Sequence, residues 1–262
     1  MRIGFLGAGR MGAPMVRRLA DAGHQVRVLG RDDKKRAAVA ELGATPVSSP
    51  REAVEGADMA IVCVFTDEQV RELCPDLLDA LSEGSILVLH TTGSPRTAEA
   101  LAEHGAARGI AVIDAPVSGG PHDIAAGTVT VFAGGPDDAV ARAREALAAY
   151  ADPVLHVGPV GAGQRVKLVN NALFAAQIGV VAEGVRLGDR LGIDEATLLS
   201  ALTHGSAASR ALGGIAATGS ADAFIARVGE FIGKDVAVVR RTASELDSDL
   251  GRLEGLLDVA IK

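Results

Sequence analysis

Six residues near the start of the chain, Gly7-Ala8-Gly9-Arg10-Met11-Gly12, restrict what it can fold into. They form a G-x-G-x-x-G run directly behind the apolar stretch Arg2–Leu6, and they open a helical pattern that reaches Ala22. Strand, glycine turn and helix in that order, with a second β-branched run at Gln25–Leu29, make one βαβ unit. With 32 Gly in 262 residues a chance match to the spacing is easy, so the weight rests on the strand-turn-helix context. In that context the first glycine permits the tight turn. The second lets a phosphate approach the backbone, and the third lets helix and strand pack closely. The helix start then offers unpaired N–H groups and the positive end of its dipole to a pyrophosphate. Residues 7 to 12 are therefore expected to bind a dinucleotide.

The same alternation continues to about residue 155. Further strand candidates lie at 59–64, 85–90, 111–113, 129–133 and 154–157, separated by Ala-, Glu-, Arg- and Leu-rich helical segments. Several are continuous apolar runs, as expected of strands buried on both faces of a parallel sheet. The fold class this predicts is α/β: a doubly wound, mostly parallel sheet of the Rossmann type. After about residue 163 the β signal stops, with Gly158, Gly161 and Gly163 around Pro159 marking the junction. Residues 164–191 contain no Pro and carry apolar side chains at near-helical spacing, which predicts a helix of about 42 Å at 1.5 Å per residue. Gly179, Gly184 and Gly188 lie inside it. Each costs about 1 kcal/mol relative to Ala, which points to close approach of another backbone. The segments 194–204, 221–239 and 241–261 also read as helical. Two domains are expected, a nucleotide-binding domain over 1–162 and an all-α domain over 163–262.

Charge and composition narrow the partners. A net charge of -7 argues against nucleic acid and anionic membrane. No run of 18 uncharged apolar residues is present, which predicts no membrane span. The first residues lead into Arg10 rather than a small-residue cleavage site, so no signal peptide is expected. Two Cys cannot form a metal site alone and read as thiols in a reducing cytoplasm. Only 3% of residues are aromatic, which leaves few rings to shape a pocket and favours a small aliphatic ligand. Of the 26 basic residues only five are Lys, at 34, 35, 167, 234 and 262.

The end of the second strand candidate decides the cofactor. A carboxylate there serves the ribose diol of NAD. Here Gly30 stands in that place, followed by Arg31 and, after two Asp, Lys34, Lys35 and Arg36. The Arg31 fork suits a 2′-phosphate, so NADP is expected over NAD, with NAD possible through Asp32 or Asp33.

Three further stretches carry chemistry. Ser118-Gly119-Gly120, within Asp114-Ala115-Pro116-Val117-Ser118-Gly119-Gly120, is either a plain turn or a backbone concavity able to hold a carboxylate. Lys167, Asn170 and Asn171 stand at i, i+3 and i+4 of the long helix and share one face. That face suits a cleft between the domains, since these groups are costly to bury among apolar ones. Lys can be moved toward a neutral pKa and Arg cannot, so the Lys retained at 167 in an Arg-rich chain is a candidate acid/base. The third stretch is Gly233-Lys234-Asp235-Val236.

With the glycine motif, and in this order along nearly the whole chain, these stretches resemble the β-hydroxyacid dehydrogenases. That family includes 3-hydroxyisobutyrate dehydrogenase, tartronate semialdehyde reductase and the glyoxylate/succinic semialdehyde reductases. The resemblance implies that Lys167 donates and accepts the proton and that Asn171 orients it. It implies that Ser118, Gly119 and Gly120 hold a substrate carboxylate and that Lys234 lies near the cofactor. Phe65, Thr66 and Thr92 follow as cofactor neighbours at strand ends, although the family usually has Leu-Pro and Ser-Thr there. His122, beside the carboxylate turn, is a candidate substrate contact. The expected reaction is hydride transfer between a nicotinamide and a small β-hydroxy acid or semialdehyde, in a homodimer or homotetramer. The alternatives are an imine reductase on the same fold, where Asp or Tyr usually replaces the lysine, and a non-catalytic NADPH-sensing module. The chain after Asp235 is shorter than usual for the family, which leaves pocket closure and oligomer contacts open.

Overall fold

The computed structural model describes residues 1–260, apart from the side chain of Glu230. The chain forms two compact units, residues 1–167 and the residues from Leu168 on.

The first unit is built on a nine-stranded sheet. Its strands are β1 (Arg2–Leu6), β2 (Gln25–Leu29), β3 (Thr45–Val47), β4 (Met59–Val62), β5 (Ile86–Leu89), β6 (Ala111–Asp114), β7 (Val117–Ser118), β8 (Val129–Gly134) and β9 (Ala151–Gly158). They lie in the order β3-β2-β1-β4-β5-β6-β8-β7, with β9 paired to β8. β1 to β6 are parallel, β8 runs antiparallel to β6 and β7, and β9 is parallel to β8. Every residue of β4 and β5 is buried, as their apolar runs require. Because side chains alternate faces along a strand, β1 sends Ile3 and Phe5 into one core and Leu6 into the other. The helices α1 (Gly12–Asp21), α2 (Asp33–Glu41), α3 (Pro50–Val54), α4 (Asp67–Ala80), α5 (Pro95–Ala106), α6 (Pro121–Ala126) and α7 (Asp137–Leu147) connect the strands. Met15 and Leu19 of α1 join the first core, and Leu77 of α4 with Leu101 of α5 join the second. The predicted doubly wound, mostly parallel sheet is present. Only the short strands β3 and β7, of three and two residues, lay below what a sequence pattern can reveal.

The helical unit takes α8 (Ala162–Arg190) from Leu168 on, the residues up to Lys167 belonging with the sheet. Its other elements are α9 (Glu195–Leu202), α10 (Arg210–Thr218), α11 (Ala221–Glu245), a 3-10 turn at Gly251–Leu253 and α12 (Glu254–Ala260). Ile178, Leu199, Leu212, Ile215 and Leu257 form its core. Of the three glycines at 179, 184 and 188, only Gly179 has the expected backbone neighbour, while Gly188 is closed by a side chain. A Cβ at Gly179 would lie 2.4 Å from the Leu256 carbonyl oxygen, and one at Gly188 would lie 2.4 Å from a Leu198 methyl. At Gly184 a Cβ would meet nothing. The expected helix over 241–261 does not form as one piece. α11 continues to Glu245, then Asp247 takes φ 52° and the chain turns before α12. α10, with its Gly213-Gly214 pair, was also not anticipated, since two adjacent glycines disfavour a helix. By length and a mean hydropathy of 1.3, α8 could cross a membrane, which a count of consecutive uncharged residues misses. Ala172, Ala175, Ala176, Ile178 and Ala182 of α8 are instead core residues of the helical unit.

One buried polar pair stiffens the carboxyl edge of the sheet. His90, just beyond β5, bonds the Ala115 carbonyl through Nδ1 at 2.6 Å and the Tyr150 hydroxyl through Nε2 at 2.7 Å. A carbonyl can only accept, so Nδ1 carries the proton and Nε2 accepts from Tyr150. Burial holds the imidazole down at about 4, with the Ala115 bond pulling the other way. The unfolded chain takes up a proton below its ordinary value of about 6.5, while the native ring does not until about pH 4. His90 therefore withdraws stability as pH falls through that window. The His90 ring signal in NMR is expected to stay that of a neutral imidazole from about pH 8 down to about pH 5. A midpoint near 6.5 would show that the ring is not sealed from water.

Candidate active site

The glycine turn between β1 and α1 has the geometry that its spacing predicts. Gly7 has φ +104°, and a Cβ on it would lie 2.2 Å from the Cys63 carbonyl oxygen. A Cβ on Gly12 would lie 2.1 Å from the Gly7 carbonyl oxygen, so the third glycine seats α1 against the strand end. Around Gly9 a Cβ would meet nothing, which leaves that face open for a ligand to touch the backbone. Met11 at the start of α1 makes no side-chain cap, and no acidic residue stands in the first turn. The N–H groups and dipole of α1 thus fit a pyrophosphate. Ala8 and Arg10 lie in the same turn, with Arg10 exposed.

At the end of β2 the structure explains Gly30. A Cβ there would lie 2.6 Å from Cγ of Arg36, whose guanidinium bonds the Gly30 carbonyl at 3.1 Å and Asp33 at 2.5 Å. No side chain, and so no ribose-binding carboxylate, fits at 30 while Arg36 is in place. Asp32 is occupied as the cap of α2, accepting from Lys35 N at 2.8 Å. Arg31 is exposed and makes no ion pair among the described residues.

The loops beyond β4, β5 and β6 are joined by buried polar contacts. Thr91 Oγ1 bonds both Val64 N and Val64 O at 3.0 Å. Asp67 accepts from Ser94 N at 3.2 Å and Thr97 Oγ1 at 2.8 Å. Thr66 caps α4 in a capping box with Gln69, so its hydroxyl has a structural task, while Phe65 is 58% exposed. Thr92 is half-buried between Thr91 and Gly93. Asp114, the last residue of β6, is buried and accepts from Gly161 N at 2.6 Å and Gln164 N at 2.7 Å. Burial pushes its carboxyl up to about 7, against the pull of those two N–H groups and of Arg165. Asp114 and Gln164 stand inside motifs that the sequence displays, but residue type alone assigned them no role.

Lys167 is only 8% exposed and Asn171, one turn further along α8, is 6% exposed. Asn171 Oδ1 accepts from Asn170 Nδ2 at 3.2 Å. Asn171 Nδ2 is buried without a hydrogen-bond partner among the described residues. The turn at 118–120 is partly filled from within. Gly119 has φ +137°, but the Gly120 N–H already donates to Asp123 Oδ2 at 2.7 Å. What the turn can offer a carboxylate is therefore narrower than three residues in a row suggest. His122 is exposed, with its side chain 83% accessible and 3.4 Å from Asp123. Lys234 lies half-buried on α11 in the helical unit. No group of three or more His, Cys, Asp or Glu able to hold a metal occurs among the described residues.

Residues 2–158 match the family model of the NAD binding domain of 6-phosphogluconate dehydrogenase. Residues 161–254 match the model named NAD-binding of NADP-dependent 3-hydroxyisobutyrate dehydrogenase. A 3-hydroxyisobutyrate dehydrogenase of Pseudomonas aeruginosa is 36% identical, over 80% of this chain and 72% of its own length. An NAD-dependent L-serine dehydrogenase of the same organism is 35% identical over the same shares. Among solved structures, Mycobacterium tuberculosis 3-hydroxyisobutyrate dehydrogenase with L-serine superposes with a TM-score of 0.89 at 29% identity. It covers 98% of this chain and 91% of that one. A Streptomyces aurantiacus imine reductase shares the fold, with a TM-score of 0.70 at 19% identity over 98% and 92% of the two chains. The glycine turn, the buried lysine and these relatives agree: the chain is a nicotinamide-dependent oxidoreductase and belongs to the β-hydroxyacid dehydrogenase family.

Proposed function

We propose that this enzyme interconverts a small β-hydroxy acid and its semialdehyde or keto acid, prefers NADP(H), and uses Lys167 as general acid/base. The observation that carries the reading is the pair of buried polar groups one turn apart on α8, Lys167 and Asn171. A buried, unpartnered N–H such as Asn171 Nδ2 costs about 1–3 kcal/mol, and a substrate oxygen accepting from it would offset that. When bound, the nicotinamide accepts or supplies hydride at C4. In oxidation Lys167 Nζ takes the hydroxyl proton as hydride leaves the same carbon, and in reduction it returns the proton to the oxygen. Such proton transfer supplies about 10²–10⁴-fold. Ser118 and Gly119 hold the carboxylate, so that the reacting carbon is oriented as well as bound. The relatives named for 3-hydroxyisobutyrate and L-serine support a three-carbon β-hydroxy acid skeleton, and the aromatic-poor chain suits an aliphatic one. The imine-reductase likeness is one of fold alone, at 19% identity.

Lys167→Ala is expected to lower kcat by at least about 10²-fold while cofactor affinity survives, measured on a panel of β-hydroxy acids and semialdehydes. Retention of more than about a tenth of kcat would remove the proton-transfer role. Arg31→Ala is expected to raise KM for NADPH by about tenfold or more, the worth of one charge-assisted contact, and to leave KM for NADH unchanged. Equal effects on both cofactors would remove Arg31 from the 2′-phosphate site.

A homo-oligomer forms part of the proposal. Val169, Leu173, Val180, Leu187 and Leu191 are 45–67% exposed. At the helical repeat they fall within an arc of about 40° along α8 and Leu191, the residue just after it. Their positions are symmetric about Val180, so an antiparallel twofold copy would place Val169 against Leu191 and Leu173 against Leu187. Val180→Glu is expected to reduce the sedimenting species to a monomer in analytical ultracentrifugation, and an unchanged oligomer would exclude this face.

A further inference from the structure

We infer that Gln164 is a positioning residue that sets Lys167 against the loop beyond β5. The inference rests on the proposed role of Lys167. Gln164 is 4% exposed, and its side-chain amide spans Thr92. Oε1 accepts from Gly93 N at 3.0 Å and Nε2 donates to Thr91 O at 2.8 Å. Its own N–H goes to Asp114 Oδ2, and Asp114 Oδ1 takes the Gly161 N–H. Four buried hydrogen bonds thus fasten one helical turn to β6 and to the loop that follows β5. The loop itself cannot yield easily. A Cβ on Gly93 would lie 2.1 Å from Asp67 Oδ1, and Asp67 is held by Ser94 and Thr97. The helix side is equally close. A Cβ on Gly163 would lie 2.3 Å from the Phe132 carbonyl oxygen and 2.7 Å from that of Asp114.

Lys167 follows Gln164 by three residues, a rise of about 4.5 Å, so the turn that carries the clasp also sets the base of the lysine. Thr92, expected beside the cofactor, is bracketed by the two residues that the Gln164 amide bonds. A single side chain therefore ties the loop expected to meet the cofactor to the helix that bears the acid/base. Misplacement by about 1 Å costs about 10²-fold in an oriented reaction, and stability alone would not require both bonds to flank one residue.

The test is Gln164→Met, which keeps the side chain's length and removes both bonds. The expected result is a kcat about 10- to 100-fold lower with cofactor Kd within about threefold of wild type. Gln164→Glu, which keeps the acceptor for Gly93 N, is expected to fall between the two and serves if the Met variant does not fold. A second readout needs no substrate. The chain has five lysines, so side-chain-labelled lysine gives five NMR signals, with that of Lys167 assigned by its loss in Lys167→Ala. Gln164→Met should move the Lys167 signal and leave the other four in place. A folded variant with wild-type kcat, or an unmoved Lys167 signal, would overturn the inference. If Lys167→Ala remains active, the proton-transfer reading fails, while the lysine signals still decide whether Gln164 positions this side chain.

Discussion

The carboxylate of Asp114 holds the most constrained place in the sheet unit. It ends β6 and caps α8 from 47 residues away, in place of the cap that Gly161 cannot supply. The arrangement needs glycines around it. Cβ atoms at Gly134 and Gly163 would lie 2.5 and 2.9 Å from the carboxylate oxygens. Burial raises the carboxyl, while two backbone donors and the helix dipole draw it down, so the group is satisfied only where strand end and helix start meet. Much of the polar chemistry at this edge, from Gln164 to Thr91 and Val64, is connected to that junction.

The glycine turn shows the complementary device, in which side chains are removed so that backbone can act. Gly7 and Gly12 are closed by neighbouring carbonyls, whereas Gly9 is open. Gly7 and Gly12 shape the turn, and Gly9 leaves its backbone open to a ligand. Gly30 belongs to the same class, because the stem of Arg36 occupies the space that a carboxylate would need. The absence of a side chain at 30 is thereby coupled to how α2 is packed, and the exposed Arg31 remains beside a turn whose Asp32 is spent as a cap.

Much of this was legible in residue order. Continuous apolar runs announced strands covered on both faces, and β4 and β5 are buried throughout. The scarcity of Lys drew attention to position 167, which is indeed buried. Patterns failed where the physical cause lies far away in sequence or in a short segment. β7 has two residues, α10 forms despite paired glycines, and α11 runs past its expected end until Asp247 turns the chain. The carboxylate turn looked more open than it is, because the bond from Gly120 to Asp123 depends on how α6 begins.

Sequence alone determined the parallel sheet, the dinucleotide turn and the polar face of α8, because each follows from local periodicity or from residues within a few positions of one another. Only the tertiary structure decided that Asp114 caps α8, that Gln164 clasps residues 91 and 93, and that Gly30 excludes a carboxylate. Those outcomes depend on hydrogen bonds and steric contacts, and most of the partners lie dozens of residues apart. Such partners are fixed by the sheet's order, and no spacing within one segment can report them.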